Sequence, residues 1–458
     1  MKSLMDQLDF DFSRPIDIQR NIDLEVLRSF SEYFSDQKDN QLFLKHIKLL
    51  IVELYLSWME DKDQFLSVSM SKRGYRLNSR YNPNNISSYL IKTIRFLESK
   101  KLIELYPGFF DAKRKKSRLT RIRSSKTLCN HFRKIKLESI RKQLCYIHLN
   151  HKKKENLFML KEGNLSEYKD NFETKELQDT LENYNKLISK TLFDIPNLEK
   201  SFLVRGDQKK IAISSFSSCT YSFDSDYKDK IIVGGCWWNK IDLNLFLQIK
   251  NRLIVNNQPT SHIDLLDFFG EFLSHTYGIN INIQPRLFSE VLNYDQVCYL
   301  IMKGIRSKNH KSFIRSVFNE KKRLSIHDLP EIEIKKSIKR NILEERMVSQ
   351  ILFGGQSVNW KEFVSKFFFD LIKRLNNVEI PIFLVREKIF FPDAMHRIIL
   401  DKIEEIIEKR IKKKPVKITT RKSLPFKFEK GSFFGRFVKT KLNFSKRYLM
   451  KKKLFVIE

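Results

Sequence analysis

Seven basic side chains crowd into the eleven residues from Lys113 to Arg123, with no acid among them. They are Lys113, Arg114, Lys115, Lys116, Arg118, Arg121 and Arg123. Clustered ammonium and guanidinium groups neutralise phosphate oxygens and release the counterions that surround a nucleic acid. The cluster therefore predicts a surface that holds a phosphate backbone.

A second set of polar side chains precedes this cluster and lies on one side of a predicted helix. The apolar positions of that helix recur at helical spacing and are Leu90, Ile91, Ile94 and Leu97. Its opposite side carries Ser88, Lys92, Arg95 and Ser99. Asn85 and Ser87 supply capping side chains, and the helix ends near Lys100. Such a face suits the major groove of DNA, and an ordinary solvated polar face is the alternative.

The elements that position these residues follow the order of a winged helix. An apolar-periodic helix from about Asn40 to Asp61 comes first, and the polar-faced helix follows it. Residues 102–105 then predict a short strand, and Pro107-Gly108 predicts a turn into the basic hairpin. Helix, strand, basic hairpin and strand place the helix in a groove and the hairpin on phosphates.

The composition indicates a folded protein with a polyanionic partner. The chain has 458 residues, which suits two or three domains, and 41% of them are hydrophobic, including 38 Phe. Its 86 Lys and Arg against 54 Asp and Glu give a net charge of +32. An excess this large repels itself in a compact state unless a polyanion offsets it. Nucleic acid, an acidic membrane and an acidic protein are the candidates, and compositional drift is the alternative.

Several classes of protein lack their sequence signatures in this chain. The five cysteines show no metal-binding or disulfide spacing, and no nucleotide-loop, zinc-protease or hydrolase motif occurs. The first residues carry acids where a signal peptide carries bases, and no apolar run is long enough to span a membrane. No long basic amphipathic helix offers an aromatic apolar face to a membrane surface. We therefore expect a cytoplasmic protein without a membrane partner.

Changes in composition divide the chain into four segments. We predict a helical and winged-helix domain at 1–135, a helical connector at 136–200, a mixed domain at 201–408 and a basic tail at 409–458. From Lys409 to Lys453 the tail holds eighteen Lys or Arg and one acid, Glu429. Its interleaved aromatics are Phe426, Phe428, Phe433, Phe434, Phe437, Phe444 and Tyr448. Basic residues with aromatics suit phosphate contacts and base stacking, although the aromatics could equally pack on the domain.

Several short stretches, taken in their order along the chain, resemble bacterial and phage-type proteins that join a winged-helix region to a palm like that of family A DNA polymerases. In the first half they are residues 67–75 (SVSMSKRGY), 79–83 (SRYNP), 96–103 (FLESKKLI), 108–111 (GFFD) and 120–123 (TRIR). In the second half they are residues 234–239 (GGCWWN), 258–264 (QPTSHID), the helix around Lys311 and residues 380–385 (IPIFLV). The resemblance implies an α+β chain: a winged helix, a palm-like mixed domain and a basic tail.

The resemblance also implies roles for particular residues. Nucleotidyl transfer uses two carboxylates that hold two Mg²⁺ ions. A helix also presents a basic side chain to the triphosphate and an aromatic side chain to the incoming nucleotide. Asp264 falls on the first metal-binding Asp, and Glu387 falls at the second carboxylate. Lys311 falls on the triphosphate-contacting Lys, and Phe318 falls on the aromatic. Arg306, His310 and Arg315 add positive charge to the same segment.

The chain departs from the family pattern at three places. Leu265-Leu266 stand where the family has Tyr-Ser, and Ser307 stands where its helix has Arg. Arg386-Glu387-Lys388 stand at the His-Asp pair. A Glu arm is one methylene longer, and catalytic geometry tolerates an error of only about 0.5 Å. These departures favour a palm that has kept its fold and lost its chemistry.

Three functions follow from these features. The first is a DNA-binding replication or plasmid and phage maintenance factor with a degenerate polymerase-like domain. The second is an active nucleotidyltransferase that binds Mg²⁺ through Asp264 and Glu387. The third is a component of a ribonucleoprotein that binds single-stranded RNA. DNA is favoured over RNA as the partner, and Mg²⁺ is expected as a cofactor only for the active enzyme.

Overall fold

The structure of the chain is a computed structural model. It describes residues 10, 12–20, 40–113, 116–134, 157–161, 164–196, 198–200, 202–204, 210–212, 221–224, 232–236, 252–256, 258–268, 272, 275, 304, 307, 309–320, 357–385, 388–411, 420–422, 445, 448, 449 and 452. Helices and sheets both occur in these ranges, so the prediction of an α+β fold is confirmed.

Residues 10–134 form a first unit, which we call the N-terminal unit. Its helices are α1 (Gln41–Glu60), α2 (Tyr89–Ser99) and α3 (Lys126–Lys134). Its sheet has the order β1-β2-β6-β3, with strands β1 (Ser13–Pro15), β2 (Phe65–Val68), β3 (Ile103–Tyr106) and β6 (Thr120–Ser124). β1 runs parallel to β2, and the other pairs are antiparallel. A separate hairpin lies between β3 and β6 in the chain and is formed by β4 (Phe109–Asp111) and β5 (Lys116–Arg118).

The long helix α1 forms where the apolar periodicity predicts it. The side-chain oxygen of Asn40 accepts a hydrogen bond from the backbone N–H of Phe43 at 2.9 Å, which satisfies a donor of the first turn. Asp61 takes an extended backbone conformation and ends the helix. The predicted ends at Asn40 and Asp61 are thus confirmed.

The core of the N-terminal unit lies between the helices and one face of the sheet. Leu50 and Leu54 of α1 pack with Leu90 and Ile94 of α2 against Ile122 of β6, and all five side chains are fully buried. Each large aliphatic side chain contributes about 1.5–3 kcal/mol when it is removed from water. This core fixes the orientation of α2, because the buried positions of α2 determine which of its side chains face solvent.

The start of α2 differs from its prediction. The N-cap residue is Ser88, whose side chain makes no capping hydrogen bond, and the Ser87 hydroxyl accepts a hydrogen bond from the N–H of Tyr89, the first helical residue, at 3.2 Å. Asn85 instead has a φ of 48° and accepts a hydrogen bond from the Asn78 N–H at 2.9 Å. Asn tolerates this left-handed conformation better than most residues, so Asn85 stabilises the preceding turn and not the helix.

The second unit begins at residue 157 and contains two larger sheets. The first has the order β13-β12-β7-β8, with strands β7 (Leu157–Lys161), β8 (Asn164–Ser166), β12 (Tyr221–Asp224) and β13 (Ile232–Cys236). The second has the order β16-β17-β15-β14-β9, with strands β9 (Phe193–Asp194), β14 (Ile254–Val255), β15 (Gln258–Asp264), β16 (Phe383–Val385) and β17 (Lys388–Pro392). β18 (Thr420–Lys422) also pairs with β15, and β10 (Phe202–Val204) pairs with β11 (Lys210–Ala212).

Four helices accompany these sheets: α4 (Phe172–Ser189), α5 (His310–Glu320), α6 (Ser357–Asn376) and α7 (His396–Ile411). α6 packs against both α4 and α7. The segment predicted to be a helical connector, 136–200, therefore contributes β7, β8, β9 and α4 to the second unit. Its apolar residues 157–160 and 192–195 supply strand and core positions that a polar connector would not have.

Parts of the predicted basic tail also belong to the fold. β18 lies in the second sheet, and the Tyr448 ring is 1% exposed in a cluster with Leu192 and Ile254. The Ser445 N–H donates to the Pro196 carbonyl oxygen at 2.9 Å. Tyr448 is thus a core aromatic, as one alternative for the tail predicts. The seven phenylalanines of the tail lie outside the described residues.

The two units meet at the loop before α2. The Arg80 guanidinium lies 3.4 Å from the centroid of the Tyr168 ring and pairs with Asp170 at 2.6 Å. The Tyr81 hydroxyl donates to the Ser166 carbonyl oxygen at 2.8 Å, and its ring stacks on that of Phe158. This contact ties the start of α2 to the β7–β8 hairpin.

Candidate nucleic-acid interface

The exposed face of α2 carries the cations that the sequence predicts. Lys92, Arg95 and Ser99 are exposed, whereas Thr93, Ile94 and Leu97 are buried. Arg95 pairs with Glu98 at 2.8 Å, but its side chain is 56% exposed, so the pair contributes little and can exchange for another anion. Lys92 lies 5.4 Å from the Tyr89 ring centroid. Both cations are therefore accessible to a phosphate group.

The loop before α2 adds cations that the sequence interpretation overlooked. Lys72, Arg73 and Arg76 are exposed, and they lie within a stretch from Gln64 to Leu97 that contains no acid. That acid-free stretch is the feature that could have revealed them. We call these three residues, together with Lys92 and Arg95, the α2 face.

Two buried polar side chains fix the loop and the start of α2. Asn82 is 2% exposed; its amide donates to the carbonyls of Arg76 and Ile86, and its oxygen accepts from the Ile86 N–H at 2.8 Å. His46 of α1 is fully buried: Nδ1 lies 2.6 Å from the Leu42 carbonyl oxygen, and Nε2 accepts from the Ser87 N–H at 2.9 Å. Burial lowers the pKa of His46, so it is held neutral. These hydrogen bonds therefore connect the start of α2 to α1 and fix the loop that precedes α2.

The β4–β5 hairpin, which we call the wing, presents both cations and aromatics. Lys113 is exposed at its turn, and Arg114 and Lys115 lie outside the described residues. Lys116 begins β5, pairs with Asp111 in register, and has a side chain that is not described. Phe110 is 77% exposed. The wing is therefore a basic hairpin with an aromatic side chain in solvent.

Three arginines of the predicted cluster have partners within the chain. The Arg118 guanidinium carbon lies 4.1 Å from the Phe10 ring centroid and 5.2 Å from that of Phe109. Arg121 donates to the Phe10 carbonyl oxygen at 3.0 Å. Arg123 donates to the Glu104 carboxylate at 2.7 Å.

The reason lies in the pleat of β6. Alternate residues of a strand point to opposite faces, so Arg121 and Arg123 lie on the outer face of the sheet when Ile122 enters the core. The α2 face lies on the helical side of the same sheet. The cations of the N-terminal unit therefore fall into two groups. Lys92, Arg95 and Lys113 are accessible to a partner, whereas Arg121 and Arg123 stabilise the outer face of the sheet.

The second sheet places the predicted metal-binding Asp264 beside a cation. Asp264 ends β15 and is fully buried. It pairs in register with Lys388, the first residue of β17, and the Lys388 ammonium donates to the Asp264 carboxylate. The Lys388 side chain is 10% exposed. Arg386 and Glu387 lie outside the described residues.

This arrangement does not fit the expected Mg²⁺. A cation with a preference for carboxylate oxygen and water needs an accessible, uncompensated carboxylate, whereas that of Asp264 is buried and already holds an ammonium group. Among the described residues, no three His, Cys, Asp or Glu side chains form a group that could hold a metal. In the described part of the sheet, the Asp264 carboxylate therefore belongs to a buried ion pair with Lys388.

The helix predicted to contact the triphosphate is α5. Lys311 and Arg315 are exposed four residues apart on one side, and Phe313 and Val317 are buried on the other. Phe318 belongs to the same helix, but its side chain is not described, and Arg306 lies outside the described residues. The exposed pair fits an ordinary basic helix face as well as a phosphate contact. Trp237 and Trp238 also lie outside the described residues.

Across the ranges that the structure covers, no helix combines the length and the hydropathy needed to cross a bilayer. No protein-family model, curated protein or solved structure matches the chain. What the chain does is therefore inferred from the geometry of the α2 face, the wing and the second sheet.

Proposed function

We propose that the chain is a DNA-binding protein whose N-terminal unit is a winged-helix domain. In this proposal the α2 face enters the major groove and the wing lies on the phosphate backbone. The observation that carries it is the exposure of Lys92 and Arg95 on a helix whose opposite side is buried, in a unit that also contains a basic hairpin. Such a domain suits a replication or plasmid and phage maintenance factor.

The order of the elements supports the winged-helix assignment. α1, β2, α2, β3, the wing and β6 follow one another in the chain, and β6 lies between β2 and β3 in the sheet. The loop at 71–88 stands where many helix-turn-helix domains have a further helix. α2 has 11 residues and is about 16 Å long, which is enough to cross a major groove about 12 Å wide.

Duplex DNA is favoured over RNA by the shape of the binding surface. A protruding helix fits the wide major groove of B-form DNA, whereas the major groove of A-form RNA is too narrow for side chains to enter. The net charge of +32 gives either nucleic acid a strong non-specific attraction. The helix geometry therefore favours duplex DNA, whereas the charge alone favours neither partner.

We further propose that the second unit is a polymerase-like palm without nucleotidyl transfer. The pairing of the Asp264 carboxylate with Lys388 is what supports this proposal. An active nucleotidyltransferase would need that carboxylate for Mg²⁺. The second unit then has a structural or partner-binding role and contacts the N-terminal unit through Arg80 and Tyr81.

The test is a salt titration of duplex affinity by fluorescence anisotropy. The logarithm of the binding constant falls with the logarithm of the salt concentration by about 0.9 for each phosphate contact. We expect the double variant Lys92→Gln/Arg95→Gln to lose about one to two units of that slope. The control Arg397→Gln/Lys402→Gln removes the same charge from α7, where Lys402 pairs with Glu405 as Arg95 pairs with Glu98, and it should keep the slope.

Two results would overturn the proposals. Equal slopes for the α2 variant and the α7 control would show that the whole charge, and not the α2 face, binds the DNA. Tighter binding of single-stranded RNA than of duplex DNA would favour the ribonucleoprotein function. For the second unit, incorporation of labelled nucleotide with Mg²⁺ or Mn²⁺ that disappears in Asp264→Asn would establish the enzyme instead.

A further inference from the structure

The wing exposes an aromatic side chain that the fold does not use. Phe110 is 77% exposed, and its neighbours Phe109 and Leu119 are 50% and 51% exposed. Phe110 differs from a scattered surface phenylalanine because it lies on the wing, three residues before the exposed Lys113. An open ring on a hairpin with a basic turn is a candidate contact for a partner. Phe110 lies opposite Ser117 in the ladder, and Ser117 is too small to cover its ring.

The base of the wing is held rigidly, so Phe110 has a defined position. Arg118 lies between the rings of Phe10 and Phe109 and donates to the Pro107 carbonyl oxygen at 3.4 Å. The Gly108 N–H donates to the Thr120 hydroxyl at 3.1 Å. The ring of Phe110 is therefore presented by a paired strand whose base is held by these contacts.

The charge around Phe110 identifies the kind of partner. From Leu105 to Leu137 the chain carries one acid, Asp111, and the turn of the wing carries Lys113, Arg114, Lys115 and Lys116. A partner for this surface combines a negative backbone with a flat apolar face. An unpaired nucleic-acid base beside its own phosphate has both properties, because every base has a π-face on which an aromatic ring stacks.

We propose that Phe110 stacks on an unpaired base at the end of the duplex that the α2 face holds. The wing then marks a junction between double-stranded and single-stranded DNA, and the protein binds a fork more tightly than a blunt duplex. This inference rests on the proposed DNA binding and adds the structural class of the target. In the interior of a duplex the π-faces are stacked on each other, so Phe110 gains no stacking there.

The test compares a forked duplex, with unpaired arms, and a blunt duplex of the same paired sequence. The wild-type protein should bind the fork more tightly, and Phe110→Ala should weaken fork binding about tenfold, within the range that base stacking supplies. Its affinity for the blunt duplex should remain unchanged. Phe110→Trp should retain the preference, and Phe110→Leu should lose it, because stacking needs a flat ring.

Two controls separate stacking from damage to the fold. Phe172→Ala makes the same change at an 84% exposed phenylalanine on α4 and should leave both affinities unaltered. A 2-aminopurine base placed next to the junction should lose fluorescence when wild-type protein binds, and it should not do so with Phe110→Ala. Because Phe110 is exposed, the thermal unfolding of Phe110→Ala should match that of the wild type.

The outcomes distinguish this inference from the proposed function. Failure of the wild-type protein to bind either DNA would remove the proposed function and the inference together. Equal binding of fork and blunt duplex by the wild type, or an equal loss on both in Phe110→Ala, would overturn the inference and leave DNA binding intact. Full fork preference in Phe110→Leu would overturn stacking, since an apolar contact with no flat ring would then suffice.

Discussion

The α2 face and the second sheet use basic residues in opposite ways. Lys92 and Arg95 project into solvent, where a phosphate can reach them, whereas Lys388 is buried against the Asp264 carboxylate. The first arrangement leaves positive charge available, and the second cancels it within the fold. The number of Lys and Arg residues therefore predicts binding to a polyanion poorly, because burial and pairing decide which of them can contact a phosphate.

The same contrast divides the basic cluster of the N-terminal unit. Lys113 stands in solvent, whereas Arg123 lies over the Phe65 ring at 5.0 Å and pairs with Glu104. Substitutions at the two kinds of position should therefore have different consequences. Exposed cations should affect binding, and paired cations should affect stability.

The largest expected effect is that of removing the buried cation. Lys388→Met leaves the Asp264 carboxylate buried without its partner, which should lower the free energy of unfolding by about 3–5 kcal/mol. Urea denaturation followed by circular dichroism measures the change. The double variant Asp264→Leu/Lys388→Met replaces the pair with apolar groups and should recover most of the loss. A loss below about 0.5 kcal/mol in Lys388→Met would mean that the pair is absent.

A smaller effect is expected at the bend between the sheet and the wing. A Cβ built on Gly108 lies 2.7 Å from the Thr120 backbone nitrogen and closer still to the Arg118 carbonyl oxygen. Since neither backbone atom can rotate away, Gly108→Ala should cost about 1–3 kcal/mol in urea denaturation. Gly74→Ala is the matched control, because its nearest neighbour is the Ser69 hydroxyl, which can rotate. Equal losses in both variants would contradict this explanation.

Two single substitutions separate the role of an exposed cation from that of a paired cation in the N-terminal unit. Lys92→Gln should reduce the slope of duplex affinity against salt by about 0.9 and leave the urea midpoint unchanged. Arg123→Gln should lower the urea midpoint and keep the slope, because its guanidinium is bonded to Glu104. A reduced slope for Arg123→Gln would place the outer face of the sheet on the DNA.

The smallest expected effect is a dependence of stability on pH. Burial lowers the pKa of His46 below its ordinary value of 6.5, so the unfolded chain takes up the proton first as the pH falls. The stability that neutral His46 contributes is complete above about 6.5 and declines as the pH falls towards the lowered folded pKa. The urea midpoint should therefore fall between pH 7 and pH 5. His46→Gln should reduce this decline, and an unchanged profile would contradict it.

Local features of the fold were predictable because they depend on neighbouring residues. The ends of α1 and the apolar side of α2 follow from helical periodicity and capping. The strand at 103–106 follows from a short apolar run before Pro107. The accessible part of the candidate site was predictable for the same reason, since the burial of Ile94 on a helix exposes Lys92 and Arg95.

Contacts between distant residues could not be read from the sequence. Lys388 lies 124 positions from Asp264, and only the register of β15 and β17 brings them together. The assignment of Arg121 to the outer face depends on which residue of β6 enters the core. Residues 420–422 join the second sheet through pairing with β15, which a basic composition does not indicate.

A fragment of the N-terminal unit that is studied alone has to include residues 12–20. Glu53 of α1 is fully buried and accepts hydrogen bonds from Arg14 and Arg20 and from the Asp17 N–H. Burial by itself raises the pKa of Glu53, but the two guanidinium groups outweigh that effect and lower it. A fragment that starts at residue 40 would leave this acid uncompensated and β2 without β1, and an open strand edge invites aggregation. Expression of the N-terminal unit should therefore begin ahead of Phe10.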